Sequence, residues 1–145
     1  MRWLISASFA ATLAACSVLG QSAPGWVTSR PTLPACGEEH SRYGGSRDVA
    51  IRQCLLDAYQ AGRPAELIVS DETIEGDPLV SIIRVLGPRD VQVFMDATRD
   101  RYGSGRWEEH RCDSLQPVSA VNQPDSHLPL DFVFVEVGCH EVTRT

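Results

Sequence analysis

The chain has no lysine among its 145 residues, no cysteine pair spaced C-x-x-C, and no apolar run that would hold it across a bilayer as a permanent helix. Each absence removes a class. Without C-x-x-C there is neither a zinc knuckle nor a thioredoxin-type redox motif. A spanning helix takes about 20 apolar residues, and past the opening fifteen no stretch is uninterrupted enough, so the mature chain is expected to be soluble apart from any anchor. The missing lysine leaves all 13 basic charges to arginine, which fits a GC-rich codon bias and carries no function. Against 19 Asp and Glu they give a net charge of -6. No nucleic-acid partner is expected of so acidic a chain, and anionic lipid is an equally poor match.

What is present begins with a short apolar stretch from Met1 to Ala15, carrying Arg2 and no acid, which reads as an export signal. Its end, Leu13-Ala14-Ala15-Cys16, resembles the lipobox of bacterial lipoproteins. In such signals the peptide is cut before the cysteine, which then receives a diacylglyceryl group and commonly a further acyl chain. Two or more chains are what hold a soluble domain stably on a bilayer. The expected partner of Cys16 is therefore the lipid bilayer, and the expected location is the cell envelope. Ser17 resembles the signal for outer-membrane delivery in hosts that have one. A rival parse cuts after Gly20-Gln21-Ser22 and releases a secreted protein.

With Cys16 set aside, Cys36, Cys54, Cys112 and Cys139 remain. An even set in an oxidising compartment points to two disulfides. Residues 16 to 35 hold three prolines and two glycines with no hydrophobic periodicity, and read as a lipidated cysteine on a flexible tether. Trp26 is the one residue there with the character to dock on the domain or the bilayer, against an idle exposed position. Residues 36 to 145 read as a single domain.

From Ser46 to Ala61, Ala50, Ile51, Cys54, Leu55, Ala58 and Tyr59 recur at three- and four-residue spacing and predict a helix. Ser46 is placed to cap it, Asp48 suits the first turn, and Gly62 with Pro64 ends it. Cys54 falls on the buried face, and Cys36 in the segment leading in, so these two are paired. The remainder reads as strands over Glu66 to Thr73, Leu79 to Leu86, Val91 to Thr98, Arg106 to Leu115 and Leu130 to Val137, separated by turn residues. Short connections imply an antiparallel meander. The expected fold is thus α+β, one N-terminal helix packed on a five-stranded antiparallel meander with two disulfides. A last hairpin centred on Pro124-Asp125-Ser126 would oppose residues whose numbers sum to about 251, which pairs Cys112 with Cys139.

Thr73-Ile74-Glu75-Gly76-Asp77-Pro78-Leu79, the run Asp96-Ala97-Thr98-Arg99-Asp100-Arg101-Tyr102-Gly103-Ser104-Gly105, Cys112 and the closing Gly138-Cys139 resemble an uncharacterised bacterial family, domain of unknown function 4362. Its members are small secreted or lipid-anchored proteins with a T-x-E-G-D-P block, a D-x-T-x-D-x-[FY]-G block and a terminal cysteine pair. The resemblance spans Glu66 to Cys139 and leaves out the helix with its cysteines. It implies the fold and the Cys112 to Cys139 bridge, and no reaction.

Glu75-Gly76-Asp77-Pro78 puts two carboxylates in one turn, as a general acid and base would need, but the same residues make a structural turn: Gly76 for positive φ, Asp77 to bond its own backbone, Pro78 to start a strand. Asp96-x-Thr98-x-Asp100 has calcium-loop spacing, yet Arg101 stands where glycine is wanted and Trp107 where a bidentate glutamate belongs. His40, His110, His127 and His140 share no helical i, i+4 spacing. No metal, cofactor or catalytic residue is expected. The sequence therefore points to a non-enzymatic envelope lipoprotein that binds an envelope protein or a cell-wall component. The alternatives are a secreted inhibitor of a cell-wall enzyme and a small hydrolase using the turn carboxylates. One helix covers one face of a sheet, so the other face must be curled shut, covered or offered to a partner.

Overall fold

The computed structural model describes residues 23–121 and 129–144; the signal, Cys16 and the Pro124-Asp125-Ser126 turn with His127 lie outside them. The chain runs α1 (Gly25–Thr28), β1 (Ala35–His40), α2 (Val49–Gln60), β2 (Ala65–Glu72), β3 (Pro78–Gly87), β4 (Asp90–Asp96), β5 (Trp107–Cys112), β6 (Ser114–Pro117), α3 (Val118–Val121), a 3-10 turn (Leu130–Phe132), β7 (Phe134–Val137) and β8 (His140–Glu141). Six strands form one sheet in the order β1-β2-β3-β4-β5-β8, and β6 pairs with β7 in a second.

This overturns the helix on a five-stranded meander. The central β2-β3-β4-β5 ribbon is antiparallel as turn chemistry dictates, but the sheet is mixed and larger. Ala35–His40, taken as a lead-in to the helix, is an edge strand parallel to β2. Parallel neighbours need a long crossover, and α2 is that crossover. At the other end, residues 130–137 do not join the main sheet: they split into the 3-10 turn and β7, which turns back on β6.

The bent hairpin has one register. His110 faces Glu141 and Arg111 faces His140 in the main sheet, while Ser114 faces Val137 and Pro117 faces Phe134 in the small one. Every pair sums to 251, so a single antiparallel ladder is folded over at Asp113 and Gly138. Gly138 has φ +68, and a Cβ there would press on the Asp113 side chain, so glycine is favoured at the fold. Cys112 and Cys139 are bonded at that point, Cα atoms 3.9 Å apart. The second disulfide joins Cys36 to Cys54.

α2 is capped by Asp48, whose side chain accepts from the Ala50 and Ile51 N–H groups; the cap is two residues later than Ser46. Gly62 beyond its end has φ +63 as expected of a C-terminal glycine. Its buried stripe is Arg52, Leu55, Leu56 and Ala58, rotated from the expected one, so that Ala50 and Cys54 are exposed. The stripe packs on Ala65, Leu67, Val69, Ile83, Val85 and Val91, and the bent hairpin adds Leu115 and Phe134 to the same core.

The opposite face of the sheet is not open. Val27, fully buried, packs with Ile82, Phe94 and Trp107, and Ala23 and Trp26 pack against this cluster. The Trp26 ring lies 5.5 Å from Phe94. The segment expected to be tether is therefore part of the fold from Ala23 onward. It also buries a polar row that runs across the sheet beneath it. Arg30 pairs with Glu66, Glu66 with Arg84, Arg84 with Gln92 and Gln92 with Glu109. Gln92 is buried within this row. Arg144 closes the row, paired with Glu109 and 4.4 Å from the Trp26 ring centroid.

Candidate functional site

On the α2 side the helix covers one end of the sheet and the bent hairpin overhangs the rest, and between them lies a cleft of about 330 Å³. Alternation along the strands makes its floor: Val69 on β2, Ile83 and Ser81 on β3, Val93 and Met95 on β4, and His110 on β5 point to one face. Phe132, Phe134 and Glu136 line it from the hairpin side, with Arg52 and Asp71 on its walls. The hairpin enters this position through Val133, held at φ +63, a backbone conformation unusual for a β-branched residue.

Most charges around the cleft are spent on the fold. Arg52 grips the buried Glu39 with Nε and Nη2, at 2.7 to 3.1 Å, and donates Nη1 to the Phe132 carbonyl at 3.3 Å. Its guanidinium stands 5.5 Å from the Phe132 ring and 5.7 Å from that of Phe134. Asp71 accepts from Arg47 and Ser41, and Arg47 lies 4.6 Å above Phe132. His110 Nε2 is 3.0 Å from Glu108. Glu136 is different. It is half-buried, and that burial pushes its pKa above the usual glutamate value; its own backbone and the Arg52 charge offset this only in part.

The carboxylates singled out in the sequence are elsewhere. Thr73 and Asp77 close their turn through the Thr73 N–H donating to the Asp77 carbonyl and the Gly76 N–H to the Thr73 carbonyl, with Gly76 at φ +81. The Asp77 carboxylate does not bond its own backbone. It accepts from the Arg101 N–H, Nε and Nη2 at 2.8 to 3.1 Å, and Arg101 holds its pKa below the ordinary value. Glu75 is exposed and Pro78 opens β3. Asp96 caps its own turn by accepting from the Thr98 N–H and hydroxyl, and Asp100 accepts from the Tyr102 N–H. The two blocks of the family resemblance are thus joined by one ion pair, Asp77 to Arg101.

Sequence reasoning missed Glu39, Arg52 and Glu136. The first two had a signal: Arg52 stands one turn before Leu55 and Leu56 on an apolar stripe, where a charge requires a buried partner. Glu136 had only its place in the alternating Phe134-Val135-Glu136-Val137 run. No helix among the described residues is long and apolar enough to cross a membrane. Comparison of the chain with protein-family models, with curated proteins and with solved structures finds no match in any of the three.

Proposed function

We propose that the chain is a lipid-anchored protein of the bacterial cell envelope whose domain is a binding module, with the cleft beneath the bent hairpin as its site. The address rests on Leu13 to Cys16, and two disulfides suit an exported chain. The observation that carries the binding reading is the cleft itself: a concave, mostly apolar space within the size range of small-molecule sites, with few polar groups converging on it. The hydrolase alternative loses its proposed parts, since Asp77 is clasped by Arg101 and stays ionised. With both sheet faces covered, a partner would engage the cleft or hairpin rather than a bare face. The resemblance to domain of unknown function 4362 fits this reading and adds no activity to it.

The address is tested by the intact mass of the native protein extracted from membranes. A mass beginning at Cys16 plus acyl groups, lost to a soluble form in Cys16→Ser, is expected; an unmodified mass beginning at Ala23 would replace the anchored reading with the secreted one. The site is tested by a diazirine analogue of methionine, matched to it in size, at Met95 in native membranes, with the same analogue at exposed Gln53 as control. A discrete adduct at Met95 alone is expected, and equal labelling at both positions would sink the cleft.

A further inference from the structure

The charge pattern of the cleft narrows its ligand, an inference that rests on the binding reading above. The titratable groups facing the cleft are Arg52 from α2, Asp71 from β2, His110 from β5 and Glu136 from β7. Arg52 is matched by Glu39, Asp71 by Arg47, and His110 has Glu108 beside it. Among the described residues Glu136 forms no ion pair. Among the described residues an acid is thus left over against a floor of Val69, Ile83, Val93 and Met95.

We propose that the cleft takes a small apolar molecule bearing a single ammonium group, its hydrocarbon on Val93 and Met95 and its cation against Glu136. Three arguments converge on that chemistry. A half-buried carboxylate beside an apolar floor gains more from a cation than one in open water, because attraction between opposite charges grows as the dielectric falls. An anionic ligand would meet the carboxylate of Glu136, and the chain's net charge of -6 repels it at a distance. Size sets the third limit: at about 30 Å³ per water the cleft holds roughly eleven waters, room for one short chain and not for a two-chain lipid. The raised pKa of Glu136 adds a signature, since the ammonium binds the ionised carboxylate and affinity must climb as pH rises through that pKa. His110 also lines the cleft, so the pH profile is assigned to Glu136 by substitution.

The experiment uses the chain from residue 16 onward carrying Cys16→Ser, which removes the signal, the acyl acceptor and the need for detergent, and titrates n-hexylamine, n-hexanol and n-hexanoate by calorimetry at pH 7.5 and 5. The amine is expected to bind at least tenfold tighter than the alcohol at pH 7.5, with the advantage shrinking at pH 5 and vanishing in Glu136→Gln while alcohol binding persists. Met95→Phe, which fills the floor, should weaken the amine and the alcohol alike. If the alcohol equals the amine, or the amine preference survives in Glu136→Gln, the ammonium assignment falls and the cleft remains a site. If none of the three binds, or Met95→Phe changes nothing, the cleft reading falls with it.

Discussion

Glu39 on the edge strand and Arg52 on the helix form a buried ion pair, 3 % and 5 % exposed, with the carboxylate also accepting from the Asp48 N–H at 2.9 Å. It fixes the helix over the parallel strand and sets one wall of the cleft. Removing one partner leaves the other charge stranded, a loss of about 3–5 kcal/mol, whereas replacing both recovers much of it. Arg52→Met should therefore lower the urea midpoint sharply, and Glu39→Gln with Arg52→Met should lower it far less. Gln at 39 retains an acceptor for the Asp48 N–H. Additive losses in the double variant would mean that the two residues are not a pair in solution.

Asp77 and Arg101 tie the turn before β3 to the loop before β5, and here the test is pH. The folded-state pKa of Asp77 is lowered, chiefly by the Arg101 hydrogen bonds, so its contribution is present above the unfolded value of about 3.9 and is lost as pH falls through the lower folded value. Asp77→Asn should be less stable than the native chain at pH 7, and the gap should close on acidification below pH 4. Because Arg101 is well exposed, the effect is modest. Equal melting temperatures at pH 7 would show that the clasp contributes nothing.

The sequence announced what local chemistry controls and hid what tertiary packing decides. The Ile74-to-Pro78 and Gly87-to-Asp90 turns and their flanking alternation predict β2, β3 and β4 almost to the residue, because register follows from turn geometry. The 251 register places the Cys112 to Cys139 bridge for the same reason. Ala35–His40 was invisible as a strand, since its partner β2 lies beyond a helix and no turn links them. Trp26 and Val27 sit among prolines and serines without periodicity; only the apolar Ile82, Phe94 and Trp107 across the sheet give them a place. The cleft was least legible, being a space between elements rather than a property of any one.

Glu136 makes a prediction opposite in sign to Asp77. Its folded-state pKa is raised by removal from water, so the folded chain holds a proton that the unfolded chain releases near pH 4.3. Stability tied to Glu136 is then fully present below that value and is lost as pH rises through the folded pKa. Glu136→Gln should melt higher than the native chain at pH 7 and match it near pH 4. A variant less stable at pH 7 would show that the carboxylate is stabilised inside the fold, which would remove its availability to a bound cation.

The segment from Ala23 to Pro34 decides how far the domain would stand from the anchor proposed at Cys16. As free tether, the 19 residues after Cys16 would reach at most about 65 Å fully extended; with the chain docked from Ala23, the six from Ser17 to Ser22 reach about 20 Å. The docking is energetic as well as geometric. Burying Val27 alone is worth about 1.5–3 kcal/mol, and the segment supplies Arg30 to Glu66 and the Pro31 carbonyl to buried Arg84. A chain beginning at Ala23 should therefore unfold at the same urea midpoint as the full mature chain. One beginning at Ala35 should lose several kcal/mol and expose Trp107 to quenchers of indole fluorescence. Equal midpoints for the two would return the segment to the role of a spacer, and the polar row from Glu66 to Glu109 would then have to tolerate water.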